Sequence, residues 1–190
     1  VVAVLDAARA VFAERGYHGA ATAQIAARCG CSEPILYRHF ASKQALFAAV
    51  LLDSADLLRA RIAPLFEDDG DPLAALVAVA ESAAREGLFL EVSQLRMLAV
   101  TVVGEPEIRD ALATLITEMH ARLTRLMARA RDLGTLRPDL DPEEAAWLWY
   151  GIALQSGVRL ALFGDSPGAP VRTGAALIDL LTAKEKETRP

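Results

Sequence analysis

Apolar positions along this chain recur every three or four residues, and no stretch shows the strict alternation of a half-buried strand. Val4, Leu5, Ala8, Val11 and Phe12 share one side of a first helix predicted over residues 1–15, with Asp6, Arg9 and Glu14 facing away. Gly16 should stop it, and Tyr17 should anchor the turn by packing inward. A second helix is predicted from Thr22, with Ile25 and Ala26 turned toward the first and Gly30 beyond its end. Ser32-Glu33-Pro34 then reads as a helix start: a hydroxyl N-cap, an acid in the first turn, and a proline where no donor is needed. The third helix, 33–39, is too short to persist alone, so Leu36 and Phe40, four apart on one face, must hold it. Ser42 should cap a fourth helix running from Lys43 to about Ile62, with Pro64 beyond its end.

Five more helices follow from the same periodicity. They are predicted over 72–85, 88–103 (stopped by Gly104), 106–133, 142–163 and 171–183, before a charged tail over 184–190. The acidic run 67–72 either holds a divalent cation or is a solvated loop in which Asp71 caps the next helix. Ile108, Leu112, Leu115, Ile116, Met119, Leu123, Leu126 and Met127 form a broad stripe on the long helix over 106–133. The 142–163 helix is apolar all round, from Trp147, Leu148, Trp149 and Tyr150 through Ile152 and Leu154 to Val158, Leu160, Leu162 and Phe163. Such a helix must be covered on both sides, one by its own body and the other by a partner chain. Ala175, Ala176, Leu177, Leu180 and Leu181 would give the last helix a second contact, so the expected homodimer forms through the last two helices. Gln155, Ser156 and Arg159 interrupt the apolar run, which with its acidic start excludes a membrane span.

Composition agrees with an all-α protein: 190 residues, 53% of them hydrophobic. Charge divides the chain. Residues 1–47 carry five basic and three acidic side chains within a total net charge of −5, so a mildly positive head precedes an acidic body. Cys29 and Cys31 are the only cysteines; they form no disulfide framework and are expected to be packing thiols in a cytoplasmic protein. No zinc site is expected, because the three histidines are scattered, and no cofactor motif is present. The chain opens on Val1 with no signal peptide, and the missing Met predicts that the native chain begins further upstream.

A short helix, a glycine turn, a polar helix start and a second short helix ending in aromatic and basic residues form the layout of a DNA-binding helix-turn-helix. The run Leu5-Asp6-Ala7-Ala8, Phe12-Ala13-Glu14-Arg15-Gly16-Tyr17, Ile25-Ala26, Gly30, Ser32, Leu36-Tyr37-Arg38-His39-Phe40, Ser42-Lys43 and Leu46 resembles the DNA-binding domain of the TetR family of transcriptional regulators over residues 4–50. The resemblance implies a three-helix DNA-binding domain over 1–47, and a larger helical domain over 48–190 that binds an effector and dimerises. It implies that Thr22, Tyr37 and Lys43 hold the DNA backbone, and that Glu33, Pro34, Ile35, Arg38 and His39 lie on the groove face of the recognition helix. Arg38 could then pair with a guanine edge, and Pro34 or Ile35 could meet a thymine methyl. Arg28 either contacts phosphate or merely suits the C-terminus of its helix.

Three departures weaken the expected hold on DNA. Ala20 and Ala21 stand where the family places hydroxyl residues, Ala23 cannot hydrogen-bond to a base, and the basic stretch that commonly precedes the first helix is absent from residues 1–190. In such relatives the body binds a small molecule. Gln94, Arg96, Thr101, His120 and Gln155 are the candidate polar contacts here, Trp147 and Tyr150 the candidate walls, and an apolar or aromatic compound the expected effector. The expected function is a repressor of double-stranded operator DNA, two heads of a dimer reading a palindrome about 34 Å apart. The alternatives are a dimeric adaptor that no longer reads DNA specifically, or a helical enzyme. The enzyme lacks a nucleophile–base pair, metal spacing and a phosphate loop.

Overall fold

Gly16 takes a φ of 69° in the computed structural model and breaks the first helix where the sequence requires it. The structure describes the backbone of residues 1–67, 70–85, 87–163 and 169–182, and the side chains of 1–64, 70–79, 91–155 and 174–182. In order, the helices are α1 (Val2–Gly19), α2 (Thr22–Arg28), α3 (Glu33–His39), α4 (Lys43–Glu67), α5 (Pro72–Arg85), α6 (Gly87–Thr101), α7 (Pro106–Asp132), α8 (Pro142–Phe163) and α9 (Ala169–Leu181). Among the described residues the only β pairing is an isolated bridge between Leu136 and Thr182. The architecture is all-α. The acidic run at 68–69, the 184–190 tail and the side chains of Val158, Leu160, Leu162 and Phe163 lie outside the described residues.

Two compact units are formed, Val1–Ala60 with Leu90–Ile116, and Arg61–Phe89 with Thr117–Pro190. Besides residues 1–47 the first unit takes in most of α4, and residues of α6 and α7 share its core. Leu95, Ala99, Val102, Ile108 and Leu112 join Leu46, Phe47, Val50 and Leu51 in one core with α1, α2 and α3. At its centre the Phe12 and Phe47 rings meet edge-on at 4.7 Å, with Tyr17 5.2 Å from Phe47. Tyr17 therefore packs inward as its position after Gly16 predicts.

Arg9 corrects the sequence reading of α1. It was expected to face solvent but is buried, its Nε donating to Ser54 Oγ at 3.0 Å and its Nη1 to Asp6 at 2.9 Å, with Nη2 on Asp53. Asp53 and Ser54 on α4 supply the acceptors that make burial of a guanidinium tolerable, and helical spacing within α1 cannot show them. Pro64 is a second correction: it lies inside α4, three residues from its end, where the missing N–H costs one hydrogen bond of the last turn.

The second unit repeats the logic with simpler means. Asp71 caps α5 through the Leu73 N–H at 3.0 Å, and Asp141 caps α8 through the Glu143 N–H at 2.8 Å. Leu73, Leu76, Leu123, Met127, Leu136, Trp149, Leu177 and Leu181 are buried. Arg137 N–H donates to the Leu181 carbonyl at 2.9 Å, tying the 133–141 loop to the end of α9.

Candidate nucleic-acid interface

The α2–α3 pair is held from one side only. Ile25, Ala26, Leu36 and Phe40 are buried against the rest of the first unit. Because Leu36 is the only buried residue of the seven in α3, the rest of that helix faces outward or sideways. Pro34, Ile35, Tyr37, Arg38 and His39 are all exposed. Among the described residues, the Arg38 guanidinium makes no ion pair or hydrogen bond, so it keeps its full donor set. A helix this short presents about two turns to a groove, which is what a recognition helix uses.

Three of the predicted interface groups form a hydrogen-bonded chain. Thr22 Oγ1 at the start of α2 donates to the Glu33 carboxylate at the start of α3, and Tyr37 Oη lies 3.2 Å from the same oxygen. With its own proton on Glu33, Thr22 can only accept from Tyr37. Glu33 is half-buried in this chain, so in the free protein it links α2 to α3 sideways. The Thr22 hydroxyl, engaged with Glu33 and Tyr37, does not cap α2. Instead Gln24 Oε1 reaches back to the Ala21 N–H at 3.3 Å, and the Ser32 side chain makes no capping bond either.

The first turn of α4 is the third component. Ser42 Oγ accepts the Ala45 N–H at 2.9 Å, the cap the sequence predicts, and donates to Glu107 at 3.1 Å. Gln44 Nε2 donates to Glu105 at 3.3 Å. Lys43 is half-buried, its Nζ 4.7 Å from the centroid of the Tyr17 ring, and burial pushes its ammonium group below the ordinary lysine range. The Tyr17 hydroxyl is pushed up, by burial first and then by the charges of Glu105 and Glu107. No local pattern marked these two carboxylates, which are more than sixty residues from Ser42 and Gln44. On the far side of α2, Arg28 pairs with Glu14 at 2.6 Å.

The candidate effector residues divide between the units. In the first, Gln94 is half-buried, Arg96 is buried, and the exposed Thr101 spends its hydroxyl on the Leu98 carbonyl at 2.7 Å. In the second, His120 stacks on Trp147 with ring centroids 4.0 Å apart, and Trp147 meets Tyr150 edge-on at 6.1 Å. Tyr150 is buried, while Trp147 is 48% exposed and Gln155 is exposed. Sequence reasoning missed a groove of about 400 Å³ lined by Arg122, Arg125, Leu126 and Arg129. Their i, i+3, i+4, i+7 spacing on α7 was the available signal. Among the described residues no three His, Cys, Asp or Glu side chains cluster as metal ligands, and no helix is long and apolar enough to cross a membrane.

An exposed short helix bearing Arg38, flanked by hydroxyls and by a lysine in a helix's first turn, defines a helix-turn-helix reader of duplex DNA. Comparison with known proteins places the chain more narrowly. Residues 4–50 match the model of bacterial regulatory proteins of the tetR family, and residues 103–174 match that of the tetracyclin repressor-like C-terminal domain. The chain is 33% identical over 189 residues to the HTH-type transcriptional regulator RutR of Escherichia coli K12, covering 93% of this chain and 80% of that one. Its fold matches FadR of Bacillus subtilis, solved with stearoyl-CoA, at a TM-score of 0.80 with 17% identity, covering 96% of this chain and 97% of that one. It also matches AibR, solved with isovaleryl coenzyme A and operator DNA, at a TM-score of 0.70 with 20% identity, covering 95% and 96%. The chain belongs to the TetR family and is a DNA-binding transcriptional regulator. Its relatives are regulators and not enzymes.

Proposed function

We propose that the chain is a cytoplasmic, homodimeric repressor that leaves a palindromic operator when an effector fills its body. The observation that carries the DNA half is the exposed face of α3, where Pro34, Ile35, Arg38 and His39 stand clear of the core that Leu36 enters. Residues 1–47 act as the DNA-binding head and 48–190 as the regulatory body. Thr22, Tyr37 and Lys43 hold phosphates; Arg38 reads a base edge; Glu33 orients the hydroxyl chain at the edge of the groove. Ala20 is almost fully buried, 1% exposed, so its lack of a hydroxyl suits packing. This favours a working reader over an adaptor that has lost one.

Dimerisation through α8 and α9 is supported by what a single chain leaves exposed there. Trp147 is 48%, Leu148 50% and Leu180 66% exposed, large apolar groups that a partner's equivalent face would cover. The effector acts by population shift, lowering operator affinity by the ratio of its affinities for the two head spacings. Its apolar part would meet the Trp147–Tyr150 region, and the arginine-lined groove on α7 would draw an acidic group. A selection from random duplexes at moderate salt tests the reading. A palindromic consensus, bound more weakly as salt rises, is expected; recovery of no consensus would defeat it.

A further inference from the structure

Cys29, Gly30 and Cys31 end α2, and the turn they make is a Schellman motif. Cys31 N–H donates to the Ala26 carbonyl at 3.0 Å and Gly30 N–H to the Ala27 carbonyl at 3.2 Å, while Gly30 takes a φ of 70°. This hydrogen-bonded geometry turns the capping cysteine and its second neighbour to the same side. Their Sγ atoms lie 2.6 Å apart, and both residues are half-buried, within reach of a small solute. Both cysteines pack against the core of the first unit, as expected of packing thiols, and in addition they face one another. The two sulfurs are direct neighbours, so a covalent S–S bond of about 2.05 Å needs no large rearrangement of the turn. Among the described residues they have no third metal-ligating neighbour, which leaves oxidation as the chemistry the pair fits best.

We propose that Cys29 and Cys31 are a peroxide-responsive dithiol that closes reversibly to a disulfide in the turn leading into the recognition helix. One thiolate attacks a hydroperoxide oxygen; the O–O bond breaks, an alcohol or water leaves, and a sulfenic acid remains. The second sulfur attacks the sulfenic sulfur, the S–S bond forms, and the S–O bond breaks. The departing hydroxide takes the second thiol's proton and leaves as water. The two sulfurs give up two electrons, which reduce the peroxide. A cellular thiol reverses the step through a mixed disulfide, and a small, partly exposed ring of this kind is readily reduced.

The effect on DNA reading rests on the proposed regulator function; the thiol chemistry does not. Closure draws Cys31 toward Cys29 one residue before Ser32, the N-cap residue of α3, and so strains the turn that sets α3 against α2. Operator affinity is expected to fall several-fold.

The test uses the full reduced chain treated with hydrogen peroxide and then an alkylating reagent. Expected are the loss of two hydrogens from the intact mass, no alkylation, a peptide linking Cys29 to Cys31, and recovery of both thiols with glutathione. Cys29→Ser and Cys31→Ser, checked for native helicity, should lose the linkage. Gain of two or three oxygens on a cysteine, or cross-linked chains, without the intramolecular product would overturn the proposal. Binding to a duplex selected with the reduced protein should weaken on oxidation of the native chain and not of Cys29→Ser. An equal response of both would overturn the coupling to DNA. Failure to select any duplex would count against the regulator reading and leave the mass readout decisive for the thiols.

Discussion

Replacing Arg9 by Met removes a guanidinium buried between α1 and α4 while keeping a stem of similar length. The three bonds lost are unequal. Ser54 is 1% exposed, so its hydroxyl, left without the Nε–H at 3.0 Å, costs about 1 kcal/mol. The Asp6 side chain is 58% exposed, and its pair with Arg9 contributes close to nothing in water. Asp53, with a side chain 34% exposed, lies between a surface pair worth under about 1 kcal/mol and a buried one whose disruption costs about 3–5 kcal/mol. A loss of about 2–3 kcal/mol in all is expected. With a urea slope of about 2–3 kcal/mol per molar, the midpoint should fall by about 1 M, followed by helical circular dichroism at fixed protein concentration. A double-mutant cycle locates the energy: Arg9 should couple to Asp53 by about 1–2 kcal/mol and to Asp6 by less than about 0.5 kcal/mol. A midpoint shift below about 0.2 M, or stronger coupling to Asp6 than to Asp53, would refute the assignment of Arg9 as a buried tie between the helices.

The remaining predictions concern the interface, the dimer face and one surface pair. Lys43→Ala should weaken binding to all duplexes alike and lower the salt slope by about 1 per head, whereas Arg38→Ala should relax preference at particular positions only, as read by competition among single-base variants of the selected duplex. Leu148→Glu should leave helicity intact but yield monomers in sedimentation equilibrium; a persistent dimer would move the interface away from α8. Arg137 donates to Asp139 through Nε at 3.0 Å and Nη2 at 2.6 Å, and these bonds hold the Asp139 carboxyl below the usual carboxylate range. Because the folded value is depressed, the stabilisation is present above the unfolded pKa of about 3.9 and is lost as pH falls through the folded value. Carboxyl NMR should show Asp139 titrating low in the native chain and at the ordinary position in Arg137→Ala.

Elements whose causes are local were legible in the sequence. Glu33–His39 has the bounds that Ser32, Pro34 and the Leu36–Phe40 pair imply, and Asp71 and Asp141 cap the helices they precede. Gly16 and Gly30 take the positive φ that their places after helices require. What was not legible depends on partners far along the chain. Arg9 looks like a surface residue until Ser54, 45 residues away, is brought beside it. Likewise the first turn of α4 looks like open phosphate-binding surface until Glu105 and Glu107 are brought to Gln44 and Ser42.

The same distinction governs how the interface can grip DNA. A phosphate accepts hydrogen bonds and offers none, so every contact needs a free proton on the protein. In the free chain the Thr22 proton is given to Glu33, the Tyr37 proton to Thr22, and the Ser42 proton to Glu107. Each hydroxyl must leave a partner before it can serve a phosphate, and Thr22 and Ser42 must leave a carboxylate, which lowers the net gain of each such contact. Arg38 faces no such competition, and Lys43 gives up only the face of the Tyr17 ring. Against a phosphate, the anion's charge favours the protonated Lys43 ammonium and so opposes the effect of its partial burial. Affinity should therefore be concentrated in the two cations, with Thr22 and Tyr37 setting orientation. That ordering follows from hydrogen-bond bookkeeping among residues whose types alone would rank all of them as equivalent phosphate ligands.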